Sequence, residues 1–207
     1  MENNLLSTGF TSHFQNEKNV NSCLLKMPSA TVKIKDKNFR ISISSEEIQM
    51  AVKRIAERMN EDLKDKCPLF IVVLNGSFLF AADLMKSVTI DCEITFVKLS
   101  SYSGTHSTGT VKELVGLSED PNGRTVVFLE DIVDTGVTLE SLYAQIKKMG
   151  PREVKVAALL HKPKAYTKSI PIDYIGLEVG NEFIVGYGLD YDGLGRNLRD
   201  IYTLAEE

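Results

Sequence analysis

Val126-Val127-Phe128-Leu129-Glu130-Asp131-Ile132-Val133-Asp134-Thr135-Gly136-Val137-Thr138 is the stretch on which the fold turns. An apolar run with no polar interruption reads as a strand covered on both faces. It passes into three carboxylates and then into Thr-Gly-x-Thr at a helix start. Successive backbone N–H groups at a tight turn, backed by two hydroxyls and a helix N-terminus, suit a dianionic phosphate. Gly136 lets the backbone approach such a ligand without a side chain in the way. Glu130 and Asp131 stand beside that cradle, where they can accept hydrogen bonds from sugar hydroxyls. The plainer reading is a strand-to-helix turn whose Asp and Thr residues only cap the helix. Capping accounts for one or two of these residues, but not for three acids whose repulsion costs stability unless a ligand uses them. The GxxxxGK[ST] pattern of the P-loop is absent.

Outward from this stretch, elements alternate in type. Thr31 to Ile43 predicts a hairpin turning at Asp36-Lys37-Asn38. Ser44 followed by Glu47 is a capping-box pattern, and Ile48, Ala51, Val52, Ile55, Met59 and Leu63 recur at helical spacing behind it. Leu69 to Leu74 reads as a buried strand, the turn Asn75-Gly76-Ser77 follows, and Phe78 to Ser87 predicts a helix. Ile90 to Leu99 predicts a strand, and Thr125 to Leu129 a second buried one. A helix is expected from about Thr138 to Met149, closed by Gly150-Pro151, and then a third buried strand over Val154 to Leu160. This order implies an α/β fold with a central parallel sheet flanked by helices, whose ligands bind beyond the carboxyl ends of the strands.

The 207 residues suffice for one domain with a sizeable core. A net charge of -4 without a basic block argues against nucleic acid as partner. No apolar run approaches the roughly 20 residues of a membrane helix, so no membrane partner is expected. Cys23, Cys67 and Cys92 lack metal-ligand spacing and read as reduced thiols of a cytoplasmic protein. Residues 1–28, rich in Asn and Ser, have neither the basic start nor the apolar centre of a signal peptide. They read as a poorly ordered or loosely docked extension, with residues 29–207 as the catalytic domain.

The segment Glu130 to Thr138 resembles the phosphoribosyl-pyrophosphate signature of type I phosphoribosyltransferases, and further motifs between residues 31 and 204 resemble the hypoxanthine-guanine branch. The resemblance implies the fold of that family: a central parallel sheet, a small hood subdomain and a mobile lid loop. It also implies transfer of the phosphoribosyl group of 5-phosphoribosyl 1-pyrophosphate to hypoxanthine, and to guanine as well, with Mg2+ as cofactor. A homodimer or homotetramer is expected on the same ground. By that resemblance Glu130 and Asp131 bind the ribose hydroxyls and contribute to the metal site with Asp190. Asp134 is the general acid or base, and Asp134, Thr135, Gly136, Val137 and Thr138 hold the 5-phosphate. Asn75, Gly76 and Arg196 bind pyrophosphate, with a non-proline cis peptide expected at Asn75–Gly76. Ser101 and Tyr102 belong to the lid. Lys162 donates to the purine's exocyclic oxygen, Phe183 stacks on the base and Ile184 offers its backbone to the base edge. The sequence departs from the family pattern at Asn75 and Val137, where relatives often carry lysine, and Arg196 compensates in part.

Each of these residues also has a bland reading. Asn-Gly after a strand is commonly an ordinary turn. A lysine at a strand end is commonly solvated, an aromatic in an apolar segment is commonly core, and His161 reads as a bystander. Two rival functions fit parts of the chain. A nucleotide-responsive RNA-binding regulator on the same fold would need a basic face. A phosphotransfer receiver would not account for the segment from Lys162 to Arg196.

Overall fold

The computed structural model describes residues 31–101 and 112–205. The expected extension over residues 1–28 and the lid residue Tyr102 lie outside the described residues. Ser101 closes a strand rather than opening a loop.

The first strands, β1 (Thr31–Ile34) and β2 (Lys37–Ile43), form the expected hairpin, but Ile34 pairs with Lys37, so the chain turns at Lys35-Asp36, one position early. Helix α1 (Ser45–Asp62) starts on the capping box: Glu47 N donates to Ser44 Oγ at 3.3 Å, and Ser44 N donates to Glu47 Oε2 at 2.9 Å. Its buried face is Ile48, Ala51, Val52, Ile55, Ala56 and Met59. That face, helix α2 (Phe78–Met85) and one side of the sheet share a core built on Phe70, Val72, Val127 and Leu129.

The main sheet runs β5-β4-β3-β6-β7-β8. Its strands are β3 (Leu69–Val73), β4 (Glu93–Ser101), β5 (Lys112–Val115), β6 (Thr125–Val133), β7 (Glu153–His161) and β8 (Tyr174–Glu178). All pairings are parallel except that of β5 with β4. Every residue of β3 is buried because helices cover both faces. On the second face, helix α3 (Val137–Lys147) packs Leu139, Leu142 and Ile146 onto Leu69, Ile71, Val126 and Phe128. Strand β4 begins, and strand β6 ends, away from its expected place. Leu69 pairs with Glu93, so β4 starts there rather than at Ile90. In β6 the ladder with β7 continues through Glu130↔Ala158 to Val133↔His161, so the strand does not stop at Leu129. Glu130 and Asp131 are thereby strand residues, not loop residues.

Two further strands, β9 (Ile184–Val185) and β10 (Ile201–Leu204), join β1 and β2 in an antiparallel sheet of order β1-β2-β10-β9. This is the hood, with its own core of Ile34, Phe39, Val185 and Tyr202. Asp200, 1% exposed, ties it to the body by accepting Ser45 N at 2.7 Å at the start of α1. Tyr187 makes a second tie, donating its hydroxyl to Asp83 Oδ2 of α2 at 2.7 Å. No helix among the described residues is long and apolar enough to cross a membrane.

Candidate active site

The carboxyl ends of β3 and β6 open into one cavity of about 310 Å³, lined by Leu74, Gly76 and the run from Glu130 through Leu139. Two motifs far apart in sequence thus share one wall. Their contact is close: a side chain on Gly76 would fall on the Asp131 carboxylate, and one on Gly188 would fall on the Gly76 carbonyl. The non-proline cis peptide lies at Leu74–Asn75, one bond before the expected place. Neighbouring residue types do not distinguish these two bonds, so sequence alone does not locate it. Asn75 is exposed and is not part of the cavity lining.

Glu130 is 5% exposed. Burial pushes its carboxyl well above the usual carboxylate range, and the charge of Asp131 adds to the rise. Burial likewise pushes Asp131 up to about 6, opposed by the Ile132 N–H, which donates to Asp131 Oδ1 at 2.9 Å, and by Arg196. Asp190 raises it further. Two adjacent acids held in this way favour a ligand that brings hydroxyl donors or a cation. Arg196 donates to the Gly188 carbonyl at 2.6 Å and meets Asp190 Oδ1 at 2.6 Å, while Asp190 Oδ2 accepts Gly193 N at 2.7 Å. Among the described residues no group of three His, Cys, Asp or Glu side chains converges on one point. Asp131 repels both Glu130 and Asp190, a repulsion that a bound cation would relieve.

From the cavity wall, Asp134 Oδ2 lies 3.2 Å from Lys162 Nζ. Lys162 is 8% exposed, so it is not the solvated strand-end lysine of the bland reading. Phe183 is 45% exposed, hence not core, and is braced by Tyr191 and Phe39 at ring-centroid distances of 5.8 and 6.3 Å. Ile184 lies on β9, paired with Thr203, and faces a separate groove with Arg40 and Glu182. The β1–β2 turn grips the same loop: Tyr191 donates to Asp36 at 2.9 Å, and Lys35 pairs with Asp192.

The turn from Asp134 to Thr138 has neighbours that the sequence did not announce. Gly136 sits at φ +82 at the start of α3, with no side-chain cap. A Cβ there would come within 2.5 Å of Tyr166 Cε2 and 2.8 Å of Lys168 Cγ. Thr167 donates to the Thr135 carbonyl through its amide and hydroxyl, at 3.4 and 3.3 Å. No local motif marks residues 166–168, and only the return of the chain after β7 brings them under the turn. His161 is buried with both ring nitrogens unpartnered among the described residues, its ring meeting that of Tyr166 edge-on at 5.5 Å.

A family model for the phosphoribosyl transferase domain matches residues 43–192. The hypoxanthine-guanine phosphoribosyltransferase of Streptococcus pneumoniae (strain R6) is 39% identical over 169 residues, covering 81% of this chain and 94% of the relative. That of Mycobacterium tuberculosis (strain H37Rv) is 37% identical over 171 residues, covering 79% and 85%. Among solved structures, a hypoxanthine phosphoribosyltransferase from Staphylococcus aureus superposes with a TM-score of 0.74 at 33% identity, covering 80% of this chain and 91% of the other. A hypoxanthine-guanine phosphoribosyltransferase from Bacillus anthracis gives 0.73 at 34%, covering 84% and 100%.

Proposed function

The chain belongs to the phosphoribosyltransferase family, and from that premise we propose that it transfers the phosphoribosyl group of 5-phosphoribosyl 1-pyrophosphate to a 6-oxopurine, hypoxanthine foremost, releasing pyrophosphate. The observation that carries the choice of base is the Lys162–Asp134 pair at 3.2 Å. A 6-oxopurine presents O6 and N7 side by side on one edge. An ammonium donor beside a carboxylate matches that edge when N7 carries or receives a proton. Adenine presents an amino donor in place of O6, so Lys162 would face a donor and remain unpaired. Phe183 would supply a flat apolar face for the ring, and the family resemblance assigns the Ile184 backbone to the base edge, although Ile184 lines the separate groove with Arg40 and Glu182.

The sugar is seated by the residues that line the cavity. Glu130 and Asp131 accept its hydroxyls, and the backbone from Asp134 to Thr138 receives the 5-phosphate at the N-terminus of α3. Gly76 and Arg196 face the pyrophosphate. Mg2+ fits the acids available, with Asp190, Glu130 and Asp131 as the carboxylates that would hold it, and when bound it neutralises charge on the leaving pyrophosphate. The remaining work is positioning and electrostatics, since displacement at the anomeric carbon through an oxocarbenium-like transition state needs no covalent nucleophile. Asp134 handles the purine proton as the base nitrogen bonds to the sugar. The test is pyrophosphate release across adenine, hypoxanthine, guanine and xanthine, with and without Mg2+. Preference for adenine, or full turnover in excess chelator, would sink this reading.

A further inference from the structure

With residues 134–138 read as the seat of the 5-phosphate, on which this step rests, we propose that Tyr166 is a positioning residue that holds the phosphate turn in its binding shape from behind. A turn whose donors are backbone amides binds well only if those amides point correctly before the ligand arrives. Gly136 is the residue of that turn with the widest conformational choice, and the start of α3 has no side-chain cap to restrain it. The restraint comes from the segment after β7. The Tyr166 ring lies where any Gly136 side chain would go. Its hydroxyl donates to the Ile170 carbonyl at 2.6 Å, its amide donates to the Lys162 carbonyl at 3.0 Å, and its ring meets the buried His161 edge-on. The ring is thus a wedge held by its hydroxyl and by the His161 ring, its backbone tied to Lys162, with Gly136 against its Cε2 edge. Beside it, Thr167 takes the Thr135 carbonyl, and Lys168 Nζ meets Glu140, in the first turn of α3, at 2.7 Å.

The test compares the affinities of inosine 5′-monophosphate and inosine for the full chain, which isolates the phosphate contribution. Tyr166→Ala is expected to weaken the monophosphate by about tenfold and leave inosine within about twofold. In turnover, KM for 5-phosphoribosyl 1-pyrophosphate rises while KM for hypoxanthine holds. Tyr166→Phe keeps the ring but loses the Ile170 bond, and is expected to weaken the monophosphate by no more than about threefold. The proposal is overturned if Tyr166→Ala preserves the ratio of the two affinities, if both ligands weaken equally, or if Tyr166→Phe does as much damage as Tyr166→Ala. Should Tyr166→Ala fail to fold, Tyr166→Leu and Lys168→Ala are judged by the same ratio. A parent chain that does not prefer the monophosphate over inosine would instead refute the phosphate seat itself.

Discussion

Replacing Asp131 by Asn should make the ligand-free chain more stable while costing it affinity for the sugar. Burial and the nearby Asp190 carboxylate push the Asp131 carboxyl from 3.8 up to about 6. A carboxyl raised in the folded state holds its proton there over a range in which the unfolded chain has lost it. Folding stability therefore falls as pH rises from about 4 through about 6, and the loss is complete above that window. Near pH 8, where it is fully ionised, this carboxylate costs the fold about 3 kcal/mol; near pH 4.5, where the folded chain still holds the proton, the cost is about 1 kcal/mol. The amide of Asn keeps an acceptor for the Ile132 N–H, which now donates to Asp131 Oδ1 at 2.9 Å. In urea, with chelator and no substrate, Asp131→Asn should shift the midpoint upward by about 1 M near pH 8 and by clearly less near pH 4.5. Affinity for 5-phosphoribosyl 1-pyrophosphate should fall in the same variant, the exchange of stability for function expected at a binding site. A variant less stable than its parent near pH 8, or a gap that ignores pH, would refute the electrostatic reasoning.

Other outcomes follow from the same geometry. Asp134→Ala should lower kcat by roughly 10²–10⁴ with the fold intact, and near-normal turnover would remove Asp134 from proton transfer. Lys162→Met should raise the hypoxanthine KM by roughly 10²-fold and leave adenine, expected to be a poor substrate, little changed. An equal loss with both bases would separate Lys162 from base reading. Ser44→Ala should cost about 1 kcal/mol in thermal or urea unfolding through the loss of the α1 cap, with turnover unaltered. A change in KM there would mean that the cap communicates with the site.

The strand-turn-helix order, the capping box at Ser44, the apolar face of α1 and the turn at Thr135-Gly136 were all legible along the chain, because each is encoded within a few consecutive residues. Strands β5, β8, β9 and β10 were not foreseen. They are short, and what selects them is a partner: β10 forms against β2, with Ile201 opposite Ile43. The reach of β6 past Leu129 has the same origin, since hydrogen bonds from β7 turn Glu130 from a loop acid into a buried strand residue.

The residue types at the site, with acids before a Thr-Gly-x-Thr turn, were determined by the sequence alone, since a phosphate cradle needs only a local run of amides and hydroxyls. The tertiary structure decided the charges and distances. It buried Glu130 and Asp131, which pushes both carboxyls above the usual carboxylate range, set Lys162 beside Asp134, and wedged Tyr166 under Gly136. Desolvation and contact depend on everything packed around a side chain, and most of what surrounds these residues is remote from them along the chain.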